Sequence, residues 1–208
     1  MKIRILTSCT RLKALHHPEP LRLPDFQQGG AHLLARSQAL AREAGSLPAG
    51  ELYTGAQHLE LLRGVRAGRA AGLELELWVL SAGYGLIPED RPLVPYDVTF
   101  NGMRAAEERA WAEHLGLPQA MREWLAQPAD QALVLLGVPY LRACALSADT
   151  PLGAPTAFTT GPRAARRLPR GASAWVHTLE DARRLGVSLG GIKGAMGRRA
   201  IEAWAEDL

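Results

Sequence analysis

Apolar residues along the chain fall into short runs separated by longer stretches with a helical period. The runs at residues 2–7, 73–81, 131–137 and 174–177 are each followed by small or turn-forming residues, a pattern that predicts buried strands. Between them, "GGAHLLARSQALAREAG" predicts a helix stopped by Gly45. The stretch "GAQHLELLRGVRAGRAAG" predicts another, with Leu59, Leu62, Val65 and Arg66 at helical spacing before Gly72. Further helices are expected in "MRAAEERAWAEHLG", in "PQAMREWLAQ" and across residues 139–146, and two short ones close the chain. Parallel neighbours need a crossover, and helices between strands supply it, so the alternation predicts an α/β domain with a mostly parallel sheet in three layers. Residues 153–168, rich in Pro, Thr, Arg and Ala, read as a loop or hairpin.

At 208 residues the chain is long enough for one such domain, with residues 1–150 as the core and residues 151–208 as a basic C-terminal portion. Its two cysteines, Cys9 and Cys144, form no CxxC or Cys/His cluster, so neither a disulfide framework nor a metal site is indicated, and no cofactor is expected. The apolar start "MKIRILTSCTRLK" is too short for a signal sequence or a membrane span, which points to a cytoplasmic protein with no membrane partner. Net charge is only +3, but the basic residues concentrate late, in "PRAARRLPR", at Arg183 and Arg184, and at Lys193, Arg198 and Arg199. That asymmetry suits a polyanion; it is equally compatible with basic surface that binds nothing.

Candidate chemistry falls where strand ends meet loops. In "TSCTRLK", Ser8, Cys9 and Lys13 follow the first strand. Cys9 is a candidate nucleophile or a small buried residue, and Lys13 is a candidate cation for substrate or phosphate. In "ELYTGAQH", Tyr53 and Thr54 precede a helix that Thr54 is placed to cap, with amides at its start that favour an anion and His58 about one turn inside. In "LSAGYGLIPEDRPLVPYDVTF", Ser81 leads to Gly83 and Gly85, which permit a sharp turn. Tyr84 offers a flat face to a base, and Asp97 beside Tyr96 offers a carboxylate, or else an N-terminal cap. The loops after the first run and after the run ending at Ser81 should lie side by side at the carboxyl edge of the sheet. Late in the chain, "SLGGIKGAMGRRA" surrounds a helix start with glycines and with Lys193, Arg198 and Arg199. It reads as a phosphate-binding start or a tightly packed terminal helix pair, and it lacks the GK[ST] ending of a Walker A loop.

The combination "SCTRLK", "LYTG" and "LSAGYGLIPEDRPLVPYDVTF" resembles the YaaA family of peroxide-stress proteins and the related domain of archaeosine synthases, over roughly residues 1–145. Leu80, Ser81, Ala82 or Gly83, Tyr84, Gly85, Pro95 and Tyr96 occupy the places of the YaaA loop, and Cys9 with Lys13 those of the Cys and Lys that open the archaeosine-synthase domain. The resemblance implies an α/β core distantly like that of uracil-DNA glycosylases, with nucleic acid or a modified purine as ligand. The functions in view are an N-glycosidase acting on a base of DNA or a nucleoside, as in DNA repair; a non-catalytic DNA-binding stress-response protein; and an enzyme on a free nucleotide. DNA is preferred to RNA as partner.

Overall fold

The computed structural model describes every residue except Arg163, Arg166, Arg167 and Leu208, so three arginines of the basic stretch "PRAARRLPR" lie outside the described residues. The chain opens with β1 (Lys2–Ser8), a strand buried along nearly all its length, then β2 (Leu21–Arg22), α1 (Leu23–Gln27) and α2 (Gly30–Ala44). Next come β3 (Leu47–Pro48), α3 (Ala49–Leu52), α4 (Ala56–Ala70) and β4 (Glu74–Ser81). The middle of the chain forms β5 (Gly85–Pro88), β6 (Pro92–Leu93), β7 (Tyr96–Asp97), α5 (Ala105–His114) and α6 (Leu117–Ala126). The last third forms β8 (Gln131–Leu135), α7 (Val138–Ala143), β9 (Thr156–Thr160), β10 (Ser173–Val176), α8 (Leu179–Leu185) and α9 (Ile192–Glu206). No described helix is long and apolar enough to cross a membrane.

Six strands form one sheet in the order β10-β9-β8-β1-β4-β5, parallel throughout except for the β4–β5 hairpin. Alternate strand residues face opposite layers, as the pleat requires. On one face Ile3, Ile5, Leu75, Leu133 and Leu135 pack with Leu61 and Val65 of α4 and Ile201 of α9. On the other, Leu6, Val134 and Phe158 pack with Trp111, Met121, Trp124 and Tyr140 from α5, α6 and α7. The protein is therefore a three-layer α/β fold with a mostly parallel sheet. Arg4 sits inside that second layer, where a buried cation needs partners. Its guanidinium lies 4.4 Å from the centre of the Trp124 ring, donates to Glu76 at 3.1 Å and also donates to the Trp124 carbonyl.

Several sequence expectations are corrected. The segment read as a loop or hairpin contains β9, a wholly buried strand that extends the sheet. The glycine loop after β4 turns back at once as β5, with Ser81 opposite Gly85. The chain closes with one short helix, α8, and one of fifteen residues, α9, not two short ones. The cap position of α4 is held by Gly55, not Thr54, with no side-chain cap.

The α4–α9 contact explains the late glycines. A β-carbon on Gly194 would lie 1.9 Å from the Gln57 carbonyl oxygen, one on Gly64 2.6 Å from the Arg198 α-carbon, and one on Gly68 2.6 Å from the Ile201 side chain. These positions rise together along both helices, so the two run parallel with their backbones nearly touching, and both begin at the same edge of the sheet.

Candidate functional site at the carboxyl edge

From β1 the chain crosses to β4 on one side, and later returns to β8 on the other. Loops leaving the carboxyl ends of β1 and β8 therefore run in opposite directions along the sheet, the topological position at which open α/β sheets bind ligands. Five side chains predicted from sequence, Cys9, Lys13, Tyr53, Ser81 and Tyr96, come together at this edge. The loops after β1 and β4 lie side by side, since the Cys9 amide donates to the Leu80 carbonyl at 2.9 Å. The residues 9–13 loop then crosses the start of α4. Gly55 donates its amide to Thr10 Oγ1 at 3.1 Å, and Lys13 pairs with Tyr53 across an isolated antiparallel bridge.

Lys13 is only 8% exposed, and its Nζ sits 4.5 Å from the centre of the Tyr96 ring, with one long hydrogen bond of 3.4 Å to the Arg11 carbonyl. Burial lowers its pKa, while the nearby Cys9 and Asp97 act to hold its charge. Behind it, the Tyr96 and Tyr53 hydroxyls are 2.6 Å apart and Ser81 Oγ lies 2.9 Å from Tyr96 Oη. Burial pushes both phenol pKa values far above their usual range. Cys9 Sγ is 3.2 Å from the hydroxyl of Tyr140, which is 3.4 Å from Thr99 Oγ1.

Sequence reasoning did not single out Tyr140 and Thr99. Tyr140 had a readable signal, since "GVPY" leaves the end of β8 as "SCT" leaves β1, with Pro139 suited to a first helical turn. Thr99 stands two residues beyond Asp97 and carried no signal of its own.

Other predicted residues are placed differently. Ser8 is buried in the last position of β1. Asp97 points outward from its two-residue strand, paired with Arg22 of β2, while the adjacent Tyr96 points inward. Asp97 is therefore a rim residue close enough to Lys13 to favour its charge. Tyr84 does not offer a free face: its ring meets Phe26 edge-on at 5.0 Å and Tyr96 at 5.2 Å, and Arg91 lies over it at 5.5 Å. Burial raises its pKa to about 12. Gly83 is required here, because a β-carbon would meet the Phe26 ring at 2.8 Å, and Gly85 adopts a positive φ of 76° at the hairpin. His58 is fully buried, with Nε2 2.8 Å from the Gly50 carbonyl and its ring edge-on to Tyr53. Burial lowers its pKa.

The late basic set divides. Arg198 is turned to Glu60, at 3.1 Å, and Glu202, at 3.7 Å, which is not the arrangement of a free phosphate ligand. Arg199 is exposed, and Lys193, in the first turn of α9, has its pKa lowered by burial. A β-carbon on Gly191 would be 3.4 Å from that of Ala56, so the starts of α9 and α4 are neighbours. Neither start has a side-chain cap, leaving first-turn amides that no intrahelical carbonyl reaches. Among the described residues no group of three His, Cys, Asp or Glu side chains is arranged to hold a metal ion.

A polar cluster at the switch point of a mostly parallel sheet defines an α/β protein with its candidate site at the edge where such sheets bind ligands. Residues 37–156, more than half of the chain, match the Family of unknown function (DUF6884), and the chain belongs to that family. The match spans Tyr53, Ser81, Tyr96 and Tyr140 and begins after Cys9 and Lys13. No curated protein matches the sequence.

Proposed function

We propose that the protein is a nucleobase-directed N-glycosidase of the cytoplasm, acting on a base in DNA or in a nucleoside. The observation that carries this reading is the buried Lys13, over the Tyr96 ring and beside Cys9 and a row of tyrosine hydroxyls, with the Asp97 carboxylate outward on the rim, at the edge where such sheets bind ligands. In the reaction, water adds at the anomeric carbon as the bond to the base nitrogen breaks. Asp97 orients that water and offsets positive charge developing on the sugar, while Lys13 faces the electron-rich departing base. The adjacent starts of α4 and α9, with Lys193, suit a flanking phosphate. The resemblance of "SCTRLK", "LYTG" and "LSAGYG" to the YaaA and archaeosine-synthase sequences supports a nucleobase as ligand.

The test is mass-spectrometric detection of bases released from modified and unmodified DNA, RNA and nucleosides. Asp97→Asn, which keeps the shape and removes the charge, is expected to lower release roughly 100-fold with binding retained. Binding of DNA with no base released from any substrate would replace this reading with that of a non-catalytic binder.

A further inference from the structure

The hydroxyl chain behind Lys13 has a direction. Ser81 Oγ accepts the amide hydrogens of Gly83 at 3.2 Å and Tyr84 at 3.1 Å, which occupies both its lone pairs, so its own hydrogen goes to Tyr96 Oη at 2.9 Å. Tyr96, buried with only Ser81 and Tyr53 as hydroxyl partners, passes its hydrogen on to Tyr53 Oη at 2.6 Å. The Tyr53 hydrogen is then left over, since Ser81, the other oxygen near it, already accepts from the Gly83 and Tyr84 amides. Lys13 stands in the same position: it brings three hydrogens to a nearly closed site and has one weak oxygen acceptor, the Arg11 carbonyl at 3.4 Å. Lys13 and Tyr53 are bridge partners, so their side chains leave the backbone toward the same side. Two buried donors with too few acceptors are costly, and a ligand that brings an acceptor atom relieves both.

We infer that the site selects the oxo edge of its base, with a carbonyl oxygen of the uracil or hypoxanthine kind accepting from Lys13 and Tyr53, and discriminates against the amino edge of cytosine or adenine. An amino group there would set hydrogen against hydrogen and leave the protein donors unpaired. Ser81 acts as a positioning residue that touches no ligand: it fixes the direction of the chain. The inference rests on the nucleobase reading and names which bases that site takes.

The experiment is calorimetric binding of matched nucleosides, inosine against adenosine and uridine against cytidine, to the full chain and its variants, with thermal melting to confirm the fold. The oxo member of each pair is expected to bind about tenfold tighter or more. Tyr53→Phe should bring the ratio to within about threefold by weakening the oxo ligand alone. Ser81→Ala frees the chain to reverse and should relax the ratio although Tyr53 is intact, an outcome that a purely structural role for Ser81 would not give. Lys13→Met should act as Tyr53→Phe does, and Lys13→Arg should restore part of the preference. Equal binding within each pair, preference for the amino member, or a ratio unmoved by Tyr53→Phe and Ser81→Ala would overturn the inference while leaving the nucleobase reading in place. Failure of all four nucleosides to bind would overturn both.

Discussion

The glycine loop after β4 and the glycine-rich start of α9 look alike as sequence, since "SAGYG" and "SLGGIKGAMGRR" both set small residues beside groups suited to a ligand. In the fold they do different things. At the first, Gly83 clears space for the Phe26 and Tyr96 rings, and Ser81 is drawn into a hydroxyl chain that faces Lys13. At the second, Gly194 brings a helix backbone against the Gln57 carbonyl, and Arg198 is held by Glu60 and Glu202. Glycine therefore marks close approach in both places. What separates a packing contact from a ligand site is whether the neighbouring polar groups already have partners.

The sharpest way to break the comparison is Gly194→Ala. The added methyl would require the two helices to separate, so unfolding free energy measured in denaturant should fall by about 3 kcal/mol or more. Gly190→Ala, where a β-carbon meets nothing closer than the Ser188 hydroxyl at 3.8 Å, should stay within about 0.5 kcal/mol. A smaller effect separates the cations. On the proposed reading, neutralising Lys193 and Arg199 together should weaken binding of a DNA probe and reduce its logarithmic salt slope by up to about 2, whereas Arg198→Ala should leave the slope unchanged and cost about 1 kcal/mol of stability.

The smallest effect concerns pH. Burial holds the His58 imidazole below its ordinary value of 6.5, so the folded protein favours the neutral ring. The stability this gives is present above that pH and is lost as pH falls through the lowered folded value. Melting temperatures recorded from about pH 7 down to about pH 5 should decline, and His58→Gln should flatten the decline. His177, lowered chiefly by burial as well, keeps a residual slope in the same sense.

Most of the legible parts of the fold are those whose periodicity comes from burial, while the more exposed α2 and β10 were legible from helical spacing with a glycine stop and from a short apolar run. The strands β1, β4 and β8 and the helices α4 to α7 follow from apolar runs and helical spacing because each is packed against a sheet face. Strand β9 was hidden because "TAFTT" fills its buried positions largely with threonine between proline- and arginine-rich flanks. In sequence that reads as a loop, but once paired to β8 its backbone is satisfied. The hairpin to β5 was hidden by the two glycines that make it possible. At the site, Cys9, Lys13, Tyr53, Ser81 and Tyr96 were legible as loop residues after strands. That the Tyr84 ring would be covered was not, since Phe26 and Arg91 reach it from distant points in the chain. Likewise His58 is held inside by the Gly50 carbonyl of α3, a partner that local sequence does not announce.

The parallel seating of α9 on α4 bears on how the chain acquires its structure. The face of the sheet that carries Ile3, Ile5, Leu133 and Leu135 is completed by residues 192–206, so β1 is covered by a segment far removed from it in sequence. Pairings as remote as Ile3 with Gln131 must also close before the site exists. Such long-range contacts make folding slow relative to locally connected folds, and a chain in which α9 has not docked leaves the part of this apolar face not covered by α4 open to solvent. The glycines that let the two helices touch are therefore also what allows that apolar sheet surface to be shielded from aggregation.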